Sequence, residues 1–430
     1  MAINKATTQG QKFSWDTESA LGTAAGAPVD FRPEAFEFPT NAQDTYVPMS
    51  GGHTNPADKN LVIPYKGGEG TGTIDMLVRR ATTTLTPSVI QLLQAGGWTI
   101  AKISDQGACD TGCTTSKLIT KADEDQEDAY MVNVETTADR FEPMQIATWT
   151  VGTLTAVPLF KLSAAPSEDE IVEIMHMAYP QSGPLGSTET LTFTELSRVE
   201  DGSDHPQVWT HGGCACVLKT ITITPNEPLK FSYDVLIANT DVADDTWSVE
   251  TDHEVVGVAM ANNDFEFLMA QGDCGSGDLT RTAVGIRSIV IETGVSIKKV
   301  TSIGADTDVN SVGGYVAVLE QPTWTVEGWF DIAKFDDYKT EFVSGSGTNP
   351  DTALAASFSS QDYLLYPSVL ITMPRANLIE APTAKLNDTD SGMVEGTLKF
   401  GGNGAAFNSG DGPTSAADQA IYIGVSGSAP

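Results

Sequence analysis

The chain has 430 residues, with 24 Lys and Arg against 57 Asp and Glu, a net charge of -33 and only 19% charged residues. That length holds two or three domains with cores of their own. The charge repels phosphate backbones, which excludes a protein that grips nucleic acid by its surface. A channel through which a polyanion slides without sticking needs the same sign; plain solubility or a salty habitat accounts for the number equally well.

No apolar run approaches the roughly 20 residues of a membrane-crossing helix. The opening MAINKATTQGQKFSWD has no apolar signal core, so folding in a cytoplasm is expected. The five cysteines are Cys109, Cys113, Cys214, Cys216 and Cys274. An odd count without a signal argues against a disulfide framework. Cys109 with Cys113, or Cys214 with Cys216, joined by His211, is the sharpest metal hypothesis. No CxxC occurs, so free thiols are expected, with no metal and no cofactor.

In chain order, GTIDMLVRR reads as a strand with Ile74, Met76 and Val78 turned inward. TPSVIQLLQAGG follows as a helix, with Thr86 as cap, Pro87 in the first turn, Gly96 as terminator and Val89, Leu92 and Leu93 on one face. The segment 101–180 differs in character. It holds GACDTGC, the acidic run ADEDQED and a predicted short helix, SEDEIVEIMHMA, whose acidic residues Glu168 to Glu170 suit a helix N-terminus. It reads as an insertion.

HGGCACVLKTITITPNEPLKFSYDVLI is the clearest signal in the chain. Ile221 and Ile223 alternate with Thr220, Thr222 and Thr224; Leu229, Phe231, Tyr233, Val235 and Ile237 alternate with Lys230, Ser232 and Asp234. Two prolines, Pro225 and Pro228, forbid continued ladder bonds between the runs. A long hairpin is predicted, with one apolar face and one wet, threonine-rich face. Further strands follow in IRSIVIETGVSIKKV and in GGYVAVLEQPTWTVEGWF, where Trp324, Val326 and Phe330 oppose Thr323, Thr325 and Glu327. DIAKFDDYKTEF is a second helix, capped by Asp331, with Ile332, Phe335 and Phe342 along one stripe. The strand-rich YPSVLITMPRANLIE and MVEGTLKFGG close the pattern, so the order strand, helix, hairpin occurs twice. Residues 411–430 read as a flexible tail in which AIYIGV adds as an edge strand to a neighbouring chain.

Chemistry leaves few traces. ADTDVNSVGGYV has Asp306, Asp308 and Asn310 at calcium-loop spacing, but Ser311 replaces the turn glycine and Ala317 the closing acid. LNDTDSG, with Asp388 and Asp390, also lacks a closing acid. GGEGTGT precedes a strand rather than a helix, so it is no phosphate cradle. His53, His176, His205 and His211 form no nucleophile pattern, and no enzymatic activity is expected.

Taken in order, the GTIDMLVRR strand with its SVIQLLQAGG helix, the GGCACVLKTITITPNEPLKFSYDVLI block and the terminal run SIVIETGVSIKKV, TWTVEGWF, VLITMPRANLIE, EGTLKF resemble tail tube proteins of long-tailed phages. The resemblance covers most of residues 60–95 and 185–410; the insertion and the glycine-rich tail depart from it. It implies a mainly β fold of two tail-tube-type β-sandwich or barrel domains, each with a flanking helix and a long hairpin. The first would occupy residues 1–100 and 181–245, interrupted by the insertion 101–180, and the second residues 246–410. It further implies a structural virion protein that closes rings and stacks them head to tail into a genome conduit. Three chains would make a ring if the tube domain is duplicated, and six if it is not. Tape measure, tail terminator and distal tail proteins would be its partners, with viral DNA passing unbound and no membrane involved. Thr220, Thr222, Ser232 and Asp234 are the candidate residues facing the lumen. A β-sandwich adhesin or surface-layer protein, or another virion part such as a tail terminator or decoration protein, is the alternative.

Overall fold

The computed structural model describes residues 6–38, 45–48, 60–63, 70–81, 86–101, 106–121, 130–137, 140–186, 189–199, 207–244, 254–260, 265–271, 277–280, 284–301, 312–344, 351–360, 366–388, 392–403 and 419–426. Cys274 and the calcium-like Asp306, Asp308, Asn310 and Asp390 lie outside them, as do most of the glycine-rich tail and the acidic run 122–128. The architecture is mainly β, in stacked sheets with two α-helices among the described residues.

In chain order the elements that build and flank the main layers are β1 (Ala6–Ala20), β2 (Val29–Phe31), β3 (Ala35–Glu37), β4 (Gly70–Leu77), β5 (Arg79–Ala81), α1 (Ser88–Gln94) and β6 (Trp98–Ala101). Then come β7 (Gln106–Ala108), β8 (Leu118–Ile119), β9 (Met131–Thr137), β10 (Arg140–Thr150), β11 (Thr155–Pro158), β12 (Ile171–Ile174), β13 (His176–Pro180) and β14 (Leu191–Val199). The predicted hairpin is β15 (Gln207–Ile223) with β16 (Lys230–Ile237), followed by β17 (Asn239–Asp244) and β18 (Phe265–Gln271). The remainder is β19 (Gly285–Glu292), β20 (Val295–Thr301), β21 (Val312–Leu319), β22 (Thr323–Asp331), α2 (Ile332–Ser344), β23 (Thr352–Phe358), β24 (Val369–Leu378), β25 (Thr383–Asp388), β26 (Met393–Gly402) and β27 (Tyr422–Val425).

One antiparallel layer runs β3-β4-β16-β15-β19-β22-β26-β25. A second runs β18-β23-β24-β27-β13-β6. Their facing side chains form one core: Ile74, Met76, Phe231, Val235, Ile291, Trp324 and Phe400 from the first meet Phe267, Leu354, Ile371 and Ile423 from the second. The second layer is buried on its other side too, where Leu268, Ala353, Leu370, Met177 and Tyr422 pack against Met131 and Ala147. Those last two belong to a third layer, β7-β12-β9-β10-β11-β8, built from residues 106–174 with a small core of its own around Val132, Val134, Ile146 and Val172.

This layering corrects two sequence expectations. SEDEIVEIMHMA is not a helix but the strands β12 and β13, of which only β12 pairs within the third layer. β13 crosses into the middle layer, between β6 and β27. AIYIGV does not reach a neighbouring chain; β27 pairs inside its own chain with β24 and β13 and is fully buried. Strands covered on both faces carry near-continuous apolar runs, so their period-two signal vanishes.

α1 lies inside the core, with Ser88 to Leu93 all buried. Its start is held by Trp15 Nε1 donating to Ser88 Oγ (3.2 Å) and by the Tyr233 hydroxyl donating to the Val89 carbonyl (2.9 Å). Thr86 does not cap it: the N-cap is Pro87, with no side-chain bond, and Gly97 at φ +79° rather than Gly96 takes the left-handed turn beyond its end. At α2, Asp331 caps as predicted, accepting from the N–H of Ala333 (2.9 Å) and Lys334 (3.2 Å). Phe335 and Tyr338 anchor its inner stripe against Phe330 and Phe400. No helix among the described residues is long and apolar enough to cross a membrane.

Candidate functional site

The site of interest is the outer face of the first layer. Its strand order contains a repetition. β3, β4, β15 and β16 occupy sheet positions first, second, fourth, third by chain order; so do β19, β22, β25 and β26. A helix follows the second strand in each set, after the short β5 in one case and directly in the other. The two sets join where β15 pairs with β19, at Thr220↔Glu292, Ile221↔Ile291, Thr222↔Val290 and Ile223↔Ile289. Even an irregularity repeats. The β15–β16 hairpin bulges between Leu218 and Ile221, and the β25–β26 hairpin between Ala384 and Leu386. Each bulge holds a lysine turned outward: Lys219 meets Asp234 at 2.8 Å, and Lys385 meets Glu327 at 2.7 Å.

The four residues singled out from sequence stand together on this outer face. Thr222 is exposed, and Thr220, Ser232 and Asp234 are half-buried, while Ile221, Phe231, Tyr233 and Val235 point into the core. Lys219 and Thr220 together oppose Ser232 across the bulge, with Leu218↔Tyr233 and Ile221↔Phe231 on either side. The same row continues outward through Thr71 and Thr73 on one side, and through Glu292, Thr323, Thr325, Thr397 and Lys399 on the other. Sequence reading placed Thr323, Thr325 and Glu327 on one side of their strand but did not connect them with the hairpin. Only the β15–β19 register makes that connection.

Electrostatically the face is more balanced than the net charge suggests. Lys230 sits 3.2 Å from Asp75, Arg287 pairs with Glu395, and Lys399 pairs with Glu380. Glu292 accepts from the Thr323 hydroxyl at 2.9 Å. Asp234 is therefore one half of an ion pair rather than a bare carboxylate. Cross-strand pairs of this kind fix rotamers while contributing little stability each.

The edges of this face matter as much as its surface. Among the described residues β3 pairs only with β4, and β25 only with β26. Each leaves a row of backbone donors and acceptors turned outward.

The remaining sequence candidates are dispersed. Cys214 and Cys216 are fully buried, and Cys214 donates to the His211 carbonyl (3.3 Å). The His211 ring is buried against Phe38 with Nδ1 on the Thr240 hydroxyl (2.9 Å), and burial lowers its pKa to about 4. No group of three or more His, Cys, Asp or Glu among the described residues is arranged to hold a metal ion. A cleft of about 510 Å³ opens beside α2, lined by Met269, Trp329, Phe335, Tyr338 and Met393. No protein-family model and no curated protein sequence matches the chain.

Proposed function

We propose that the chain is a structural virion subunit that closes into rings of three and stacks head to tail as a phage tail tube. One observation carries the reading: the first layer is two like-ordered four-strand sets joined at the β15–β19 seam, with the equivalents of that seam's two strands left without a second partner among the described residues. β25 corresponds to β15 and β3 to β19. If β25 of one copy pairs with β3 of the next, the internal seam is repeated between molecules. Such a contact is heterologous, so it must either close into a ring or run on as a filament. Closure removes both open edges of this layer. The tube proteins that the sequence resembles imply six units per ring, which three chains of two units supply. Eight strands from each of three chains would then make a wall of 24, with the threonine-rich face toward the lumen and the apolar face on its own core. Six chains per ring is the alternative count.

A lumen face rich in threonine, on which Lys219, Lys230, Arg287, Lys385 and Lys399 each have a carboxylate partner, offers phosphates little free positive charge. DNA would pass without adhering. Localisation in the phage tail, with tape measure, terminator and distal tail proteins as partners, follows from the same reading.

The test is a cross-link. Cysteine is placed at Glu37 and, in the same chain, at either Lys385 or Asp388, and oxidation is followed on denaturing gels. The reading predicts chain-to-chain disulfides at one or two of these positions, giving dimers and trimers that vanish without Glu37→Cys. Absence of any pairing in assembled material would reject the seam.

A further inference from the structure

Cys109 and Cys113 flank one turn of the third layer, Cys109 paired through its backbone with Thr120 and Cys113 set through its sulfur on Ile119 of β8. Cys109 is buried and bridges Thr120 across the backbone, while its carbonyl accepts from the Asp169 N–H (3.0 Å). Asp110, Thr111 and Gly112 reverse the chain, Gly112 at φ +90°. Cys113, half-buried, returns to Ile119: its sulfur accepts from the Ile119 N–H (3.2 Å) and faces the Ile119 carbonyl (3.3 Å) and the Asp110 carbonyl (3.4 Å). The two thiols lie close enough to shift one another's ionisation in opposite directions.

We infer that Cys109 and Cys113 are a redox-active pair, with half-buried Cys113 as the attacking sulfur and buried Cys109 as the resolving one. The partner reagent is a small-molecule disulfide. Cys113 as thiolate attacks one sulfur of the reagent, forming a mixed disulfide and releasing a thiolate. That thiolate takes the Cys109 proton. The Cys109 sulfur then attacks Cys113, closing the Cys109–Cys113 bond and releasing the second reagent thiolate. Two protein thiols are oxidised by two electrons, and one disulfide is reduced to two thiols.

The electrostatics divide the roles the same way. The neighbouring Cys109 thiol, helped by the Ile119 N–H, lowers the Cys113 pKa to about 6 against the opposing effects of burial and Asp110. Cys109 is pushed up by the neighbouring Cys113, by burial, and by Glu170 and Glu135 nearby. A low-pKa, accessible thiol beside a resolving partner is the arrangement of exchange-active pairs. The bond would tie the turn to itself when the protein leaves reducing surroundings for oxidising ones. This holds whether or not the chain builds a tube.

The test uses the full chain in a Cys274→Ser background, treated with glutathione disulfide. The peptide from Ile103 to Lys117 should lose two hydrogens in mass, and both its cysteines should resist later alkylation. Cys109→Ser should stop at a glutathione adduct on Cys113. On the untreated chain, Cys113 alkylation should titrate with a midpoint near pH 6 and run about 100-fold faster at neutral pH than that of Cys214 or Cys216. Alkylation of Cys113 only at ordinary thiol pH, or a glutathione adduct that persists in the chain with both cysteines, would overturn the inference.

Discussion

The Glu18 carboxylate and the Gly213 N–H meet at 2.7 Å across 195 residues of sequence. Glu18 is almost wholly buried, and it also accepts from the Gly22 N–H (2.9 Å) and the hydroxyls of Thr190 (2.5 Å) and Thr192 (2.7 Å). Gly213 marks the point where β15 leaves its partners β14 and β17 and enters the eight-stranded layer. Its carbonyl in turn accepts from the Tyr315 hydroxyl (2.7 Å) on β21. The bend that aims the hairpin is thus held from both sides.

Glu18→Gln should therefore be costly, because either placing of the amide NH₂ sets it against a backbone N–H, Gly22 or Gly213, that can only donate. A loss of about 2–4 kcal/mol is expected, read as a lower midpoint in denaturant unfolding. A midpoint within error of the parent chain would show that the carboxylate does not hold the bend.

Gly213→Ala tests the same bend from the backbone. Gly213 has φ +62°, and an added Cβ would stand 2.7 Å from the Ala238 Cβ. Left-handed strain alone costs about 1 kcal/mol, and the clash adds to it. Thermal unfolding should fall by several degrees, and hydrogen exchange should rise first in residues 207–217.

The hairpin was legible in sequence because it has one wet side: Ile221 and Ile223 against Thr220 and Thr222, Phe231 and Tyr233 against Ser232 and Asp234. Where both sides are covered the signal failed. Ile171, Ile174, Met175 and Ala178 fall at helical spacing behind an acidic start, yet they form two strands threaded between layers. A short apolar run cannot distinguish a buried strand from a buried helix. The bulge lysines Lys219 and Lys385 were invisible for another reason: register belongs to the partner strand as much as to the strand itself.

His211 gives the fold a pH dependence of known sign. Its pKa is about 4 when folded, against an ordinary 6.5, so the unfolded chain binds the proton more readily. The associated stability is complete above about pH 6.5 and is lost as pH falls toward 4, a total of about 3 kcal/mol. Unfolding midpoints across that window should fall more steeply for the parent chain than for His211→Phe. Parallel slopes would contradict the assignment.

Arg80 joins the third layer to the rest of the body. It is almost fully buried, and its Nη2 lies 3.2 Å from Glu173 Oε1, while Asn133 Nδ2 donates to Glu173 Oε2 (3.2 Å). Arg80→Leu leaves a buried carboxylate without that cation, a loss of about 3–5 kcal/mol. Exchange should accelerate in 131–137 and 171–174 before it does in the hairpin. A uniform change would argue against a local joint.

The surface ion pairs should matter far less. Lys219→Gln and Lys385→Gln remove cations that are 56% and 47% exposed. Each should change stability by less than about 1 kcal/mol, while making the outer face more acidic. A large destabilisation would mean that the bulges themselves depend on these lysines.

The number of chains that share one closed sheet separates a tube subunit from a solitary particle. Native mass measurement on rings released from assembled material reads this directly. The prediction is a particle of three chains, each joined to the next through β25 and β3. A chain that stays a single particle at all concentrations, with both edge strands exchanging their amide hydrogens freely, would contradict it.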